Sequence, residues 1–342
     1  MVDPLRDELG RIVLPSSRPP VNSIAGKKSI FMDSIDYCEF RNVRARISEH
    51  RLRPGMMGEI EVRVANVDGR LALLGPQGFV DVEKSSAGRF SASPQSAYES
   101  WTALREWAAD RDVSDDVLCD GDVEAALGPP VPRPGQVFAV ALNYRAHALE
   151  ANLELPDRPL VFTKFPSCIA DPVAHVALPD GSVDWEAELV VVIGQTAHHV
   201  PESDAWNVVA GLTVGQDISE RQLQIAGAAP QFSMGKSFPN FGPIGPLVVT
   251  PDEFDDPNDI KVSCWLEGGE ILQDGRTSDL IFPIARLIAD LSSVCTLWPG
   301  DLIFTGTPAG VGAARKPPQY LTRGDVLITE IDNIGRLRTT FH

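Results

Sequence analysis

The stretch of this chain best equipped for chemistry is Asp184-Trp185-Glu186-Ala187-Glu188, which runs directly into Leu189-Val190-Val191-Val192-Ile193. In an extended strand, residues two apart share a face. Glu186 and Glu188 therefore point the same way, with Trp185, Ala187 and Leu189 opposite. The apolar run predicts a buried strand. Two carboxylates at its mouth repel each other and lose hydration, and a divalent cation relieves both costs. An all-oxygen donor set suits a hard ion, Mg2+ or Mn2+, with Ca2+ also admitted. E-x-E alone fits a solvated strand edge equally well. The balance moves with Asp217, which closes a second apolar run, Val208 to Val214, through Gly215-Gln216. Arg221 and Gln224 follow at four and seven residues, a spacing that puts all three on one helical face. Lys236 stands in the Gly/Pro-rich segment MGKSFPNFGPIGP. Together these residues describe an acidic metal cradle beside donors suited to an anion.

A second group is His147 and Glu150 in NYRAHALE. H-x-x-E on one helical turn sets a carboxylate against an imidazole, orienting the ring and raising its basicity, as a general base requires. A lone helical histidine is more often structural. Beside a metal cradle the catalytic reading is preferred.

The elements that must position these groups follow from patterning. Residues 1 to about 40 carry scattered prolines and little periodicity, and predict an extended arm. From about 41 to 83 apolar and polar residues alternate, predicting half-buried strands, with Asp68-Gly69 as a hairpin turn. Ser93-Pro94 opens a helix whose Trp101, Leu104, Trp107 and Ala108 recur at helical spacing and are read as core. A further short helix is predicted over 114–127. The segment GPPVPRPG, residues 128–135, ends regular structure and marks a domain boundary, giving domains 1–130 and 131–342. Beyond it, QVFAVAL, PLVFTK, ELVVVIG, VVAGLTVGQ, GPLVVT, IKVSCWLE, DLIFTG and DVLITEI are predicted strands. Helices are fewer: about 143–151, about 218–226, and TSDLIFPIARLIADLSSV, starting on its Thr/Ser cap. The class is α+β and β-rich. The glycine-rich Thr305 to Gly312 reads as a tight surface turn rather than a phosphate cradle.

Composition narrows the function. The 342 residues carry 30 Lys+Arg against 47 Asp+Glu, a net charge of −17. Such a surface repels phosphate backbones and anionic lipid, so neither nucleic acid nor membrane is expected as a partner. Five scattered cysteines without C-x-x-C spacing predict reduced thiols in a cytoplasmic protein. The opening MVDPLRDELGRIV predicts no signal peptide.

NYRAHALE, DGSVDWEAELVVVIG, GQDISERQLQ, MGKSFPNFGP and FTGTPAGVG, in that order, resemble the fumarylacetoacetate hydrolase superfamily over residues from about 137 to 342. The resemblance implies a mixed β-sandwich roll for that part, beside a smaller N-terminal α/β domain, and homodimers. It implies Glu186, Glu188 and Asp217 as metal ligands and His147 with Glu150 as a water-activating dyad. It implies that Arg221, Gln224, Lys236 and Thr307 line the substrate site. Animal-type fumarylacetoacetases have a fourth acidic ligand seven residues before the catalytic histidine, where this chain has Val140. That points to the three-carboxylate branch, acting on small anionic 2-oxo or β-diketo acids. The expected reaction is metal-dependent C–C hydrolysis of an acylpyruvate-like acid, with Lys236 and Gln224 donating to the oxyanion and Arg221 holding a distal carboxylate. 2-Oxo acid decarboxylation or keto–enol isomerisation on the same site, and a non-catalytic 2-oxo acid binder, are the alternatives.

Overall fold

The computed structural model describes residues 62–75, 78–109, 118 and 123–342. These residues lie in one compact unit. The expected N-terminal arm, the alternating run before Val62 and most of the helix expected over 114–127 lie outside them.

Strands β1 (Arg63–Val67), β2 (Arg70–Gly75) and β3 (Gly78–Asp81) form a meander. Asp68 and Gly69 join β1 to β2 with φ of 50° and 76°, the left-handed pair that a two-residue hairpin requires. Helix α1 (Trp101–Ala109) follows, with Trp101 and Leu104 in the core as expected. Then come β4 (Leu127–Gly128), β5 (Val137–Ala141), helix α2 (Arg145–Glu150), β6 (Leu160–Thr163), β7 (Ile169–Ala170), β8 (Val173–Val176), β9 (Val183–Asp184) and β10 (Ala187–Ile193). The chain continues through β11 (Val209–Gln216), β12 (Ser219–Glu220), the single turn α3 (Arg221–Gln224), α4 (Phe232–Gly235) and β13 (Gly242–Val249). It ends with β14 (Lys261–Leu266), β15 (Ile271–Arg276), α5 (Ile284–Ser292), β16 (Leu302–Phe304), β17 (Val326–Ile331) and β18 (Gly335–Phe341).

An 11-stranded sheet runs β3-β2-β1-β13-β11-β10-β16-β5-β6, with β4 on β1 and β7 on β13. A five-stranded sheet, β15-β14-β17-β18-β8, packs against it through β10, β11 and β13. The strand-rich α+β class read from the sequence is the class observed. The large sheet is continuous across the proline-rich 128–135 segment, because β1 pairs with β13. All seven residues of β10 are buried, which is why a continuous apolar run sits inside the sheet with both faces covered. Its Val190 and Val192 pack on the side of Trp101, Leu104, Leu302 and Phe304. Its alternate residues face the five-stranded sheet.

Two helices differ from expectation. The helix expected from Thr277 begins only at Ile284, with Pro283 as its N-cap. A proline disfavours helical geometry in the residue before it, so Leu280 to Phe282 cannot continue a helix from Thr277. The helix expected over 218–226 is the one turn α3, because Ser219 and Glu220 extend to pair with β9.

Candidate metal centre and active site

Glu186 immediately precedes β10, Glu188 is its second residue, and Asp217 immediately follows β11. The β10–β11 ladder pairs Ala187 with Gln216, and the Asp217 N–H donates to the Glu186 carbonyl at 2.9 Å. The register therefore brings the three carboxylates together, with one oxygen of each within 4.8 Å of the others. All three are buried.

Three cations enter the cluster. Lys236 Nζ donates to Glu186 Oε2 at 2.6 Å and to Asp217 Oδ2 at 2.7 Å. Lys164 Nζ, fully buried, donates to Asp217 Oδ1 at 2.7 Å and to the Lys236 carbonyl. Arg221 faces three acceptors: Nε donates to Asp184 Oδ1 at 2.6 Å, Nη1 donates to Gln224 Oε1 at 3.0 Å, and Nη2 lies 2.7 Å from Glu186 Oε1 in an ion pair. Four carboxylates (Asp184, Glu186, Glu188, Asp217) thus face three cations. Burial raises the Glu186 pKa, but Lys236, Arg221 and His147 outweigh it and hold the group down at about 2. Glu188 goes the other way. Burial, then the charges of Asp217 and Glu186, push its pKa well above the carboxylate range. Glu188 accepts from the Gly306 N–H at 2.8 Å and has no ion pair among the described contacts. A buried oxygen-only cluster, one of whose carboxylates lacks a cation, fits a hard divalent ion.

His147 and Glu150 share helix α2, with Nδ1 and Oε1 2.7 Å apart. The Gly310 N–H donates to the other Glu150 oxygen at 2.9 Å. His147 and Glu150 open on the same cavity as Glu186, Glu188, Arg221, Gln224, Lys236 and Thr307; its volume is about 1160 Å³. The nine residues singled out by sequence therefore lie in one neighbourhood, with Asp217 just beneath the cavity surface. Asp217, Arg221 and Gln224 share no single helix, since Asp217 ends a strand. The Thr307 hydroxyl is already occupied, donating to the Ala187 carbonyl at 2.9 Å and accepting from Gln273.

Sequence reading missed several residues here. Lys164 was legible as a lone lysine in the apolar run LVFTKF, and Asp184 as a third acid in the i, i+2, i+4 series with Glu186 and Glu188. Gln216 and Gln273, whose amides accept from the N–H groups of Glu186 and Ala187, carried no signal. The Thr305–Gly312 segment is mostly buried, and it is not the surface turn expected. Its N–H groups are drawn inward by the Glu188 and Glu150 carboxylates. Among the described cysteines, Cys168, Cys264 and Cys295 are free thiols. No described helix is long and apolar enough to cross a membrane.

Human mitochondrial oxaloacetate tautomerase FAHD2A is 44% identical over 214 residues, covering 62% of this chain and 68% of the relative. A crystal structure from Mycobacterium smegmatis, provisionally assigned as an HpcE protein, superposes with a TM-score of 0.77 at 50% identity, covering 82% of this chain and 98% of that one. Maleylpyruvate hydrolase from Sphingobium sp. SYK-6, solved with manganese(II) and pyruvate, gives a TM-score of 0.66 at 28% identity over 82% of this chain and 98% of that one. The family model for the fumarylacetoacetate hydrolase C-terminal domain matches residues 136–342, the span that carries all three carboxylates and the His147–Glu150 pair. With the cradle and the dyad both inside that span, the chain belongs to the fumarylacetoacetate hydrolase family.

Proposed function

We propose that this chain is a divalent-metal-dependent enzyme that moves a proton on a small 2-oxo acid, with keto–enol tautomerisation of an oxaloacetate-like acid as its reaction. The observation that carries this reading is the shared cavity: Glu186 and Glu188 of the cradle, with Asp217 just beneath, and an imidazole with one ring nitrogen outside the dyad bond open on it together. Identity of 44% to a relative named oxaloacetate tautomerase supports it.

An ionised Glu150 only accepts hydrogen bonds, so Nδ1 of His147 carries the proton and Nε2 keeps its lone pair. Nε2 takes a proton from C3 of the substrate. The C–H electrons become the C2–C3 double bond, and the carbonyl oxygen takes the negative charge. The imidazolium, stabilised by Glu150, returns the proton to that oxygen. Glu186, Glu188 and Asp217 would hold a divalent ion, which when bound would supply Lewis acidity against this developing charge. Two of the three Lys236 ammonium hydrogens are spent on Glu186 and Asp217, leaving the third for a substrate oxygen. Gln224 gives its carbonyl to Arg221, and its amide NH2 is the group left to meet substrate. Arg221 balances Asp184 and Glu186, and with five N–H donors against three contacts it keeps hydrogens for a distal substrate carboxylate on the cavity it lines.

The cavity favours a second reading. Its volume exceeds what a four-carbon acid fills, and Leu153, Leu160, Val161, Phe162, Ile225 and Phe232 line it. An acylpyruvate with an apolar tail would suit that wall. The same Nε2 would then deprotonate water, hydroxide would add to the distal carbonyl, and the C–C bond would break to a carboxylic acid and the pyruvate enolate, whose C3 takes the proton back from the imidazolium to leave as pyruvate. The test is the Mn2+-loaded protein, assayed for C3 proton exchange on oxaloacetate in D2O and for pyruvate release from a panel of acylpyruvates. Exchange without release supports the tautomerase, and release is expected only under the second reading. Neither activity, with 2-oxo acid binding intact, would overturn both in favour of a non-catalytic binder.

A further inference from the structure

The segment Thr305–Ala313 gives a main-chain N–H to three carboxylates of the site. Gly306 serves Glu188 at 2.8 Å, Gly310 serves Glu150 at 2.9 Å, and Ala313 serves Asp184 at 2.8 Å. A metal-directed glutamate, the dyad carboxylate and the partner of Arg221 are thereby indexed to one stretch of backbone. That backbone takes its own position from β15 of the smaller sheet. A Cβ at Gly310, whose φ is +110°, would stand 2.0 Å from the Leu272 carbonyl oxygen. The next residue, Gln273, is 1% exposed. Its Nε2 donates to Thr307 Oγ1 at 2.8 Å and to the Pro308 carbonyl at 2.7 Å. Its Oε1 accepts from Ala187 N at 2.9 Å, the residue between Glu186 and Glu188. Thr307 closes the ring by donating to the Ala187 carbonyl. Gln216 holds the neighbouring Glu186 N–H but points its other end to Thr329, away from this segment.

We infer that Gln273 is a positioning residue: it locks the 305–313 segment to the Glu186–Glu188 strand and so fixes the dyad relative to the metal cradle. It touches neither the proposed ligands nor the dyad. Its whole effect is transmitted through Ala187, Thr307 and Pro308. The inference rests on the metal and dyad reading above. A buried glutamine that merely satisfied local backbone would leave the two sites unlinked.

The test uses Gln273→Met, which keeps the volume and removes all of its side-chain hydrogen bonds, that from the Cys264 thiol at 3.5 Å included, and Thr307→Val, which breaks only the two links made by the Thr307 hydroxyl. Mn2+ affinity is read by electron paramagnetic resonance. The dyad is read in metal-free protein by the low-field proton resonance of the His147–Glu150 bond, assigned by its loss in His147→Ala. Gln273→Met is expected to weaken Mn2+ binding about tenfold or more, the scale of outer-shell substitutions, and to shift or broaden the dyad resonance. Thr307→Val is expected to do the same to a lesser degree. A lowered melting temperature with affinity and resonance unchanged would overturn the inference. If Gln273→Met does not fold, Thr307→Val decides: unchanged affinity and resonance in it overturn the inference equally. Wild-type protein that fails to take up Mn2+ would sink the metal reading instead, and the resonance in metal-free protein would still report on Gln273.

Discussion

The metal cradle and the His147–Glu150 pair open on one cavity, yet they are held in opposite ways. Glu186, Glu188 and Asp217 stand at the ends of two adjacent central strands, with the charges of Glu186 and Asp217 met by buried Lys164 and Lys236 and half-buried Arg221. The dyad stands on a six-residue helix whose N-cap, Tyr144, makes no side-chain cap bond. Leu149 on that helix is 71% exposed, and Leu153 and Leu155 just beyond it are also exposed. A short helix with little buried apolar surface costs little to open locally, while a strand inside a full ladder opens only with the whole fold. Ion binding needs oxygens fixed before the ion arrives. A proton shuttle needs only to reach its donor once substrate is bound.

The largest expected effect breaks the rigid half. Asp217→Asn keeps the shape but leaves buried Lys164 without a charged partner and Lys236 with Glu186 alone. Removing one member of a buried charge set costs about 3–5 kcal/mol, and a loss of that size is expected in urea unfolding of metal-free protein. Mn2+ binding should fall with it, on the order of 100-fold or more given that outer-shell changes alone reach that scale. His147→Ala should do the converse. Turnover should drop by roughly 10²–10⁴, the range for removing a general base, with Mn2+ affinity and unfolding midpoint nearly unchanged. Loss of Mn2+ binding in His147→Ala would erase the distinction between the two halves.

Glu150→Gln is a finer probe. The amide oxygen still accepts from the Gly310 N–H, so the helix keeps its tether while the imidazolium loses its counter-charge. A fall in turnover of about 10–100-fold, with the substrate KM held, is expected. An unchanged rate would mean that Glu150 anchors α2 and does nothing for His147.

How far the sequence could be read divides along the same line. Glu186, Glu188 and Asp217 were legible because strand parity fixes which way a side chain points, and an apolar run advertises burial. Gln273 was not, because its contact with Ala187 spans 86 residues and joins two sheets whose packing no local pattern encodes. The helix expected from Thr277 failed at Pro283, a signal that was present and under-weighted. The Thr305–Gly312 segment failed differently. Glycine marks backbone freedom, and only the surrounding carboxylates reveal that the freedom serves inward N–H donation.

The smallest expected effect concerns protons, and it separates the carboxylates within the cradle itself. Glu186, lowered from 4.5 to about 2, adds stability that is present above its unfolded pKa and lost as pH falls from about 4.5 toward 2. Glu188 is raised by burial and by its acidic neighbours. Its contribution is therefore complete below the unfolded carboxylate pKa and lost as pH rises through the raised value, where the buried charge appears without a cation beside it. An ion that binds the three oxygens must drive that proton off. Mn2+ titrations by calorimetry, run in buffers of different ionisation enthalpy, should register release of up to one proton between the ordinary carboxylate pKa and the raised one, and none above it. Glu188→Gln should abolish the release, and His147→Ala should leave it in place. Release that followed His147 would mean that the dyad, not the cradle, holds the proton that the ion displaces.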